Sequence, residues 1–440
     1  MKKILASLFL FFFAGFLFAQ TVVEYDFNSG LTMEEFFEKN YRSQWEALDP
    51  IEQYAIAFSS NLFQQNHQFH LDFTGHTKLN DRYAQPLELL RDSWGITDYK
   101  SLVDMFNSLE ESGHSGAYQR YCGLLDKYPD KSPVEIAALE HLEILDATRL
   151  FYVRDSRQAA GKRGIEAWDE GREITILRWG VACGYISKEE AKTLMKPVIE
   201  RIIKNYSSWQ QFSEHYWLGR GFYGLSDCSQ SSKRGAAIYN DSMAHAYIPL
   251  DSIKFTGENA EEYHNALAFE EGPDFVKWQE VQKLSNQEVK EGDLTKLQEI
   301  EEEYSAYSDL FFWWHMVLLI NFSSDEELIN YVEDHYDYLQ GFPVGGDVYY
   351  NSMYYYLRDL NDTIQPARAL KVIAGLPENL QYNIHFYYQY AYANYLMLSF
   401  CSSQEEFDTY KARAKSAIKV LKEHNYEINV SLDKWYARVE

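Results

Sequence analysis

From Trp45 onward, apolar side chains return at the spacing of an amphipathic helix, and strand-type alternation is nearly absent. The punctuation agrees with that reading. Pro50 stands at a helix entry before "IEQYAIAFSSNLF", and Gly95 stops "PLELLRDSW". Thr97 caps "DYKSLVDMFNSLEES", which Gly113 closes, and Ser132 with Pro133 opens "VEIAALEHLEILDATRLFYV". Ser207 with Gln210, or Ser208 with Gln211, makes a capping box ahead of a helix in which Trp209, Phe212 and Tyr216 recur at helical spacing. "SDCSQSSKRGAAIYNDS" reads as a loop or a short helix. The pattern predicts an all-α fold.

Composition shifts at "IPLDSIKFTGENA", which places a domain boundary near residue 255. Residues 45–255 then form an N-terminal helical domain. Residues 20–44 form a lead-in, with an extended "TVVEYDF" and a helix around Met33–Asn40. Beyond the boundary, amphipathic segments follow one another as helical hairpins with large–small aromatic packing. No signature of about 34 residues recurs, so residues 256–440 are expected to be an irregular helical-repeat (tetratricopeptide-like) domain. "LFFWWHMVLLI" is too short to span a bilayer and is expected to pack inside.

The most informative stretch is "GIEAWDEGREITILRWGVACGYISKEE", Gly164–Glu190. It reads as a helix, a tight turn at Gly184, and a second helix that Ser187 caps with Glu190. Pro197 should kink or divide that second helix. At about 100° per residue, Ile165, Trp168, Asp169, Arg172, Ile176, Trp179 and Cys183 share an arc about 100° wide, a core-facing stripe. Glu170 and Glu173 point to the solvent side of that wheel, and Arg178 lies on a different face and needs its own partner. Asp169 and Arg172, three apart, can touch. A charge in an apolar stripe is costly unless paired. The pair is therefore either architecture or the polar wall of a pocket flanked by Trp168 and Trp179, and the architectural reading is the commoner one.

"LLRDSWGI" (89–96), "AWDEGR" (167–172), "LRWGVACGYISKEEA" (177–191) and "SSWQQFSEHYWLGR" (207–220) occur in an order and spacing that resembles the bacterial domain of unknown function 1266 (DUF1266) family, over about residues 45–251. The family's Trp-Asp-x-x-Arg falls on Trp168, Asp169 and Arg172, and its Arg-Trp-Gly on Arg178, Trp179 and Gly180. Gly-Tyr-Ile-Ser falls on Gly184–Ser187, Ser-Ser-Trp on Ser207–Trp209, and Tyr-x-x-Gly-Arg on Tyr216, Gly219 and Arg220. The resemblance implies no assigned activity. The chain departs from the shorter members in its leader and its long C-terminal helical region, which argues against a cytosolic role.

Charge and composition then narrow the function classes. With 41 basic and 66 acidic side chains the net charge is −25, a surface that repels phosphate backbones and anionic lipid, so no nucleic-acid partner is expected. Lys2 and Lys3 followed by "ILASLFLFFFAGFLFA" make a secretory leader, with cleavage after Ala19. Residues 1–19 are read as a signal peptide, the mature chain as periplasmic or extracellular, with no stable membrane insertion after cleavage. A retained anchor is the alternative. Cys122, Cys183, Cys228 and Cys401 allow three pairings, of which Cys122–Cys228 is the expected bridge. Cys183 is expected to be a buried thiol.

His67 and His70 have metal-compatible spacing but no third ligand, and "EHLEILD" reads as a solvated face. No phosphate loop, GxSxG or HExxH occurs, so no cofactor or metal is expected. The reading is an exported, non-catalytic binding or scaffold protein that recognises a protein or peptide by its helical surfaces. The alternative is a small-ligand binder or enzyme built on Trp168, Asp169 and Arg172 with Arg178, Trp179, Tyr185, Trp209, Tyr216 and Arg220.

Overall fold

The computed structural model describes residue 26 and residues 30–75, 85–224 and 230–439. The expected leader at 1–19, most of "TVVEYDF", and Cys228 with the bridge expected for it lie outside the described residues. Among the described residues every regular element is helical and no strand occurs. The described chain divides into two compact units. The first gathers residues up to Leu124 with Tyr152–Glu271, and the second joins Leu125–Phe151 to Gly272–Glu440.

The break therefore differs from the one expected near residue 255, for a physical reason. The chain after 255 stays tied to the first unit: Thr256 N donates to Ile203 O at 2.9 Å, and Asn259 N to Lys204 O at 2.8 Å. Residues 125–151 join the second unit through Phe151, stacked on Phe275 at 5.6 Å, and Thr148, which accepts from the Trp278 indole at 3.0 Å.

In the first unit the helices used below are α1 (Met33–Asn40), α2 (Pro50–Gln65), α3 (Tyr99–Ser112), α4 (His114–Lys127), α5 (Ile144–Ala160), α6 (Glu166–Ala182), α7 (Lys188–Asn205), α8 (Trp209–Tyr223) and α9 (Gln230–His245). Several begin at side-chain caps, of which Ser187 and Ser208 were expected from the sequence. Asp49 accepts from Glu52 N, Ser187 from Glu190 N and Ser208 from Gln211 N. Two details shift. Asp98, not Thr97, caps α3, accepting from Ser101 N at 2.7 Å. The Glu190 carboxylate accepts from Tyr99 OH at 2.9 Å, so Ser187 caps α7 by its own hydroxyl. The turn between α6 and α7 closes on Gly184 at φ 72°, a left-handed position that suits glycine. Pro197 sits inside α7 without dividing it. Cys183 is half-buried rather than sealed.

Helix α6 is the axis of this unit, packed on α2, α3, α7 and α8. Two glycines set how closely neighbours approach. A Cβ on Gly219 would lie 2.2 Å from Trp168 Cβ, and one on Gly180 would lie 2.4 Å from Leu102 Cδ2. Surrounded on all sides, α6 has no solvent face along most of its length. Glu170 and Glu173, expected outside, are 3% and 1% exposed. The helical wheel fails there because it assumes that one side of a helix meets water.

The second unit includes α10 (Pro273–Glu291), α11 (Phe312–Phe322), α12 (Asp325–Asp334), α13 (Asp347–Asp362), α14 (Pro366–Gly375), α15 (Ile384–Met397) and α16 (Gln404–Glu423). Its main core runs from Phe312, Met316 and Leu319 through Val332 and Met353 to Phe386. The "LFFWWHMVLLI" run forms the apolar helix α11, which buries Phe312, Trp314, Met316, Leu318 and Leu319. No helix among the described residues is long and apolar enough to cross a membrane.

Candidate functional site

The Asp169 carboxylate lies at the start of α4. Its Oδ1 accepts from His114 N at 3.2 Å and its Oδ2 from Ser115 N at 2.7 Å, so a side chain of α6 caps a different helix. Arg172 pairs with Asp169 Oδ1 and also reaches His114 Nδ1 at 2.8 Å. Its guanidinium lies 4.7 Å from the centre of the Trp168 ring and 5.4 Å from that of Trp94. Tyr216 packs against Trp168 at 5.0 Å, and Tyr223 covers both Trp168 and His114. The structure thus brings together Trp168, Asp169, Arg172 and Tyr216, and adds Trp94, His114 and Tyr223. Both oxygens of Asp169 and the Nε and Nη2 of Arg172 are engaged, an arrangement suited to holding three helices in register.

The remaining expected residues lie elsewhere. Arg178 is fully buried and meets no carboxylate. Its guanidinium donates to the carbonyls of Phe73 (3.0 Å), His70 (3.0 Å) and Asp72 (2.9 Å) and to Ser59 Oγ (2.5 Å), and lies 3.6 Å from the centre of the Phe63 ring. Trp179 donates to Gln68 Oε1 at 2.9 Å. Together these two side chains fasten the irregular segment after α2. His70 is sealed in with them, its pKa depressed to about 3 by burial and by Arg178. Tyr185 sits half-buried at the α6–α7 turn, and Arg220 lies near Tyr223 at the end of α8.

Glu170 and Glu173, missed in the sequence, share Arg201, which donates to them at 2.9 and 3.0 Å. Burial pushes Glu170 up to about 8 and Glu173 up to about 7, Arg201 opposing. A carboxyl raised above its ordinary value binds a proton in the folded state that the unfolded chain has released. The stability it contributes is full below about pH 4.5 and is lost as pH rises through 7 and 8. Stability to urea should therefore fall between about pH 5 and 8, by at most about 1.4 kcal/mol per pH unit for each proton. Glu170→Gln should flatten that slope and exceed the parent at the alkaline end. An unchanged slope in that variant would refute the assignment.

A cavity of about 820 Å³ opens in the same unit among the start of α8, the end of α9 and the strip that follows. Trp209, Ile238, Leu250, Ile253, Phe255 and Leu267 give its apolar walls. Glu214, Asp241, His245, Asp251 and Lys254 give its charge. Glu214 Oε1 accepts from Tyr263 OH at 2.8 Å and Gln210 Nε2 at 3.0 Å, and its Oε2 from Ala266 N at 3.3 Å. Asp241 Oδ1 accepts from Ser213 Oγ at 2.6 Å, and Ser213 accepts from Asn61 at 3.2 Å. Burial pushes the Asp241 carboxyl up to about 6, with Glu214 adding to the rise. The Trp209 indole N–H is buried without a partner. Of these residues the sequence singled out only Trp209. Asp241 and His245 do stand four apart on α9, a spacing that shares a face, but Asp241 was read as part of a loop or short helix ending at Ser242.

The family comparison falls mainly on this unit. A family model described as "Protein of unknown function (DUF1266)" matches residues 89–255, so the resemblance in the motifs holds over that stretch, beginning later than residue 45. "Uncharacterized protein YbeR" of Escherichia coli (strain K12) is 28% identical over 135 residues, 30% of this chain and 56% of that protein. "Uncharacterized protein YbeU" of the same strain is 29% identical over 152 residues, 34% of this chain and 63% of that protein. The chain thus spans somewhat more than half the length of each relative. No solved structure matches the chain significantly. The matched stretch contains the Asp169–Arg172 pair and most of the cavity wall.

Proposed function

We propose that the protein is an exported, non-catalytic binding protein whose first unit holds a small polar molecule in the cavity beside Trp209. The observation that carries this reading is the 820 Å³ space itself, walled by Trp209, Phe255 and Leu267 and lined by Asp241, whose Oδ2 has no partner among the described residues. The volume lies in the range of small-molecule sites, apolar walls with a few polar groups. Asp169 and Arg172 serve the fold rather than a ligand, because they pair with each other and Asp169 also caps α4.

Ile238, 68% exposed and on the cavity wall, offers a way to block the site without disturbing the core. A thermal-shift screen of small polar metabolites should give compounds that stabilise the parent and not Ile238→Trp. Equal shifts in both proteins, or none from a broad panel, would count against the cavity.

Recognition of a peptide by helical surfaces keeps one observation in its favour. Tyr388, Tyr392 and Tyr395 stack in succession along α15, half-buried, with Trp435 beyond them. Export rests on the leader read at residues 1–19. N-terminal sequencing of the native protein should begin near Gln20, and an intact Met1 in a soluble cytosolic fraction would refute it.

A further inference from the structure

Two carboxylates, Glu214 on α8 and Asp241 on α9, line the cavity near enough for each other's charge to be felt. Neither has a lysine or arginine partner among the described residues. Glu214 is fully occupied by neutral donors, Tyr263, Gln210 and Ala266 N, with His264 the one basic group acting on it from a distance. Asp241 is different. Ser213 holds its Oδ1, and its Oδ2 has no hydrogen-bond partner. The Ser213 hydroxyl is in turn held by Asn61, so Asp241 is fixed in place rather than free to swing toward solvent. A positioned, half-buried carboxylate beside a second one is unfavourable until a cation arrives.

Two further residues of the wall agree. Trp209 and Phe255 present aromatic surface to the same space, which attracts a cation over a ring face. From this geometry we infer that the cavity takes a small protonated amine, its ammonium meeting Asp241 Oδ2 with Glu214 behind it. This rests on the cavity being the ligand site and adds the chemical class of the ligand.

The test uses two matched pairs of probes, tyramine with tyrosol and 4-amino-1-butanol with 1,4-butanediol. In each pair a hydroxyl replaces the ammonium. Calorimetric titration of the whole chain should show at least one amine binding about tenfold or more tighter than its neutral partner. Asp241→Asn keeps the acceptor for Ser213 and should melt no lower than the parent, because it removes an uncompensated charge. The same variant should lose about tenfold or more of the amine affinity and none of the neutral affinity.

Equal affinity within both pairs, full amine affinity in Asp241→Asn, or no binding by either amine would each overturn the cation assignment. If neutral probes bind as well as amines and Ile238→Trp abolishes both, the cavity stands and the ligand class falls. If amines bind equally to the parent and to Ile238→Trp, the cavity itself falls.

Discussion

Arg178→Met should be among the most damaging single substitutions in the first unit, lowering the unfolding free energy by about 5 kcal/mol. Methionine roughly preserves the length and volume of the side chain and leaves its packing against Phe63 largely intact. What disappears is the set of donors. The carbonyls of His70, Asp72 and Phe73 and the Ser59 hydroxyl all lose a partner deep in the protein, each buried orphan costing about 1–3 kcal/mol. Relief from the buried guanidinium charge offsets part of that. Burial lowers the Arg178 pKa to about 9, which marks how poorly the site solvates the charge. Arg178→Lys keeps a charge but not the planar fork and should fall between the parent and Met. Urea denaturation at pH 7 gives the comparison. A loss below about 1 kcal/mol for Met would mean that the segment after α2 holds itself without Arg178.

That expectation also marks the limit of what the chain reveals as a string of letters. Arg178 could be recognised as needing its own partner, because the wheel put it on a different face from the Asp169–Arg172 stripe. Its partners are backbone carbonyls, which every residue carries, so no residue type could announce them. Helix starts were legible because caps are local: Ser132, Ser187 and Ser208 act on residues three places away. Asp169 as a cap was not legible, since it serves a helix that begins 55 residues earlier. Glu170 and Glu173 were misplaced because the wheel assigns one face to water, and α6 is enclosed by four helices. The cavity was hidden for a related reason. Glu214 and Asp241 meet only when α8 packs on α9, and each by itself reads as an ordinary solvated acid.

The second large effect concerns Asp169 and Arg172, and the cap changes what their double substitution should do. A buried ion pair alone would tolerate replacement of both members by apolar residues, because desolvation of both charges disappears together. Here Asp169 has a second task, accepting from His114 N and Ser115 N at the start of α4. Asp169→Leu should cost about 4 kcal/mol, from a stranded guanidinium and two unpaired backbone donors. Arg172→Met should cost about 3 kcal/mol, since Asp169 keeps its backbone donors but loses its counter-charge, and Trp168 loses the cation over its face. Asp169→Leu with Arg172→Met should remain about 3 kcal/mol below the parent, held down by the lost cap. Asp169→Asn with Arg172→Met keeps one carbonyl oxygen for the cap and discards both charges, and should recover to within about 1.5 kcal/mol. The gap between those two double variants measures the cap free of the ion pair. Their thermal melts at one pH would show it directly. If the leucine double melts with the asparagine double, α4 does not depend on Asp169, and the three-helix junction is held by the aromatic rings alone.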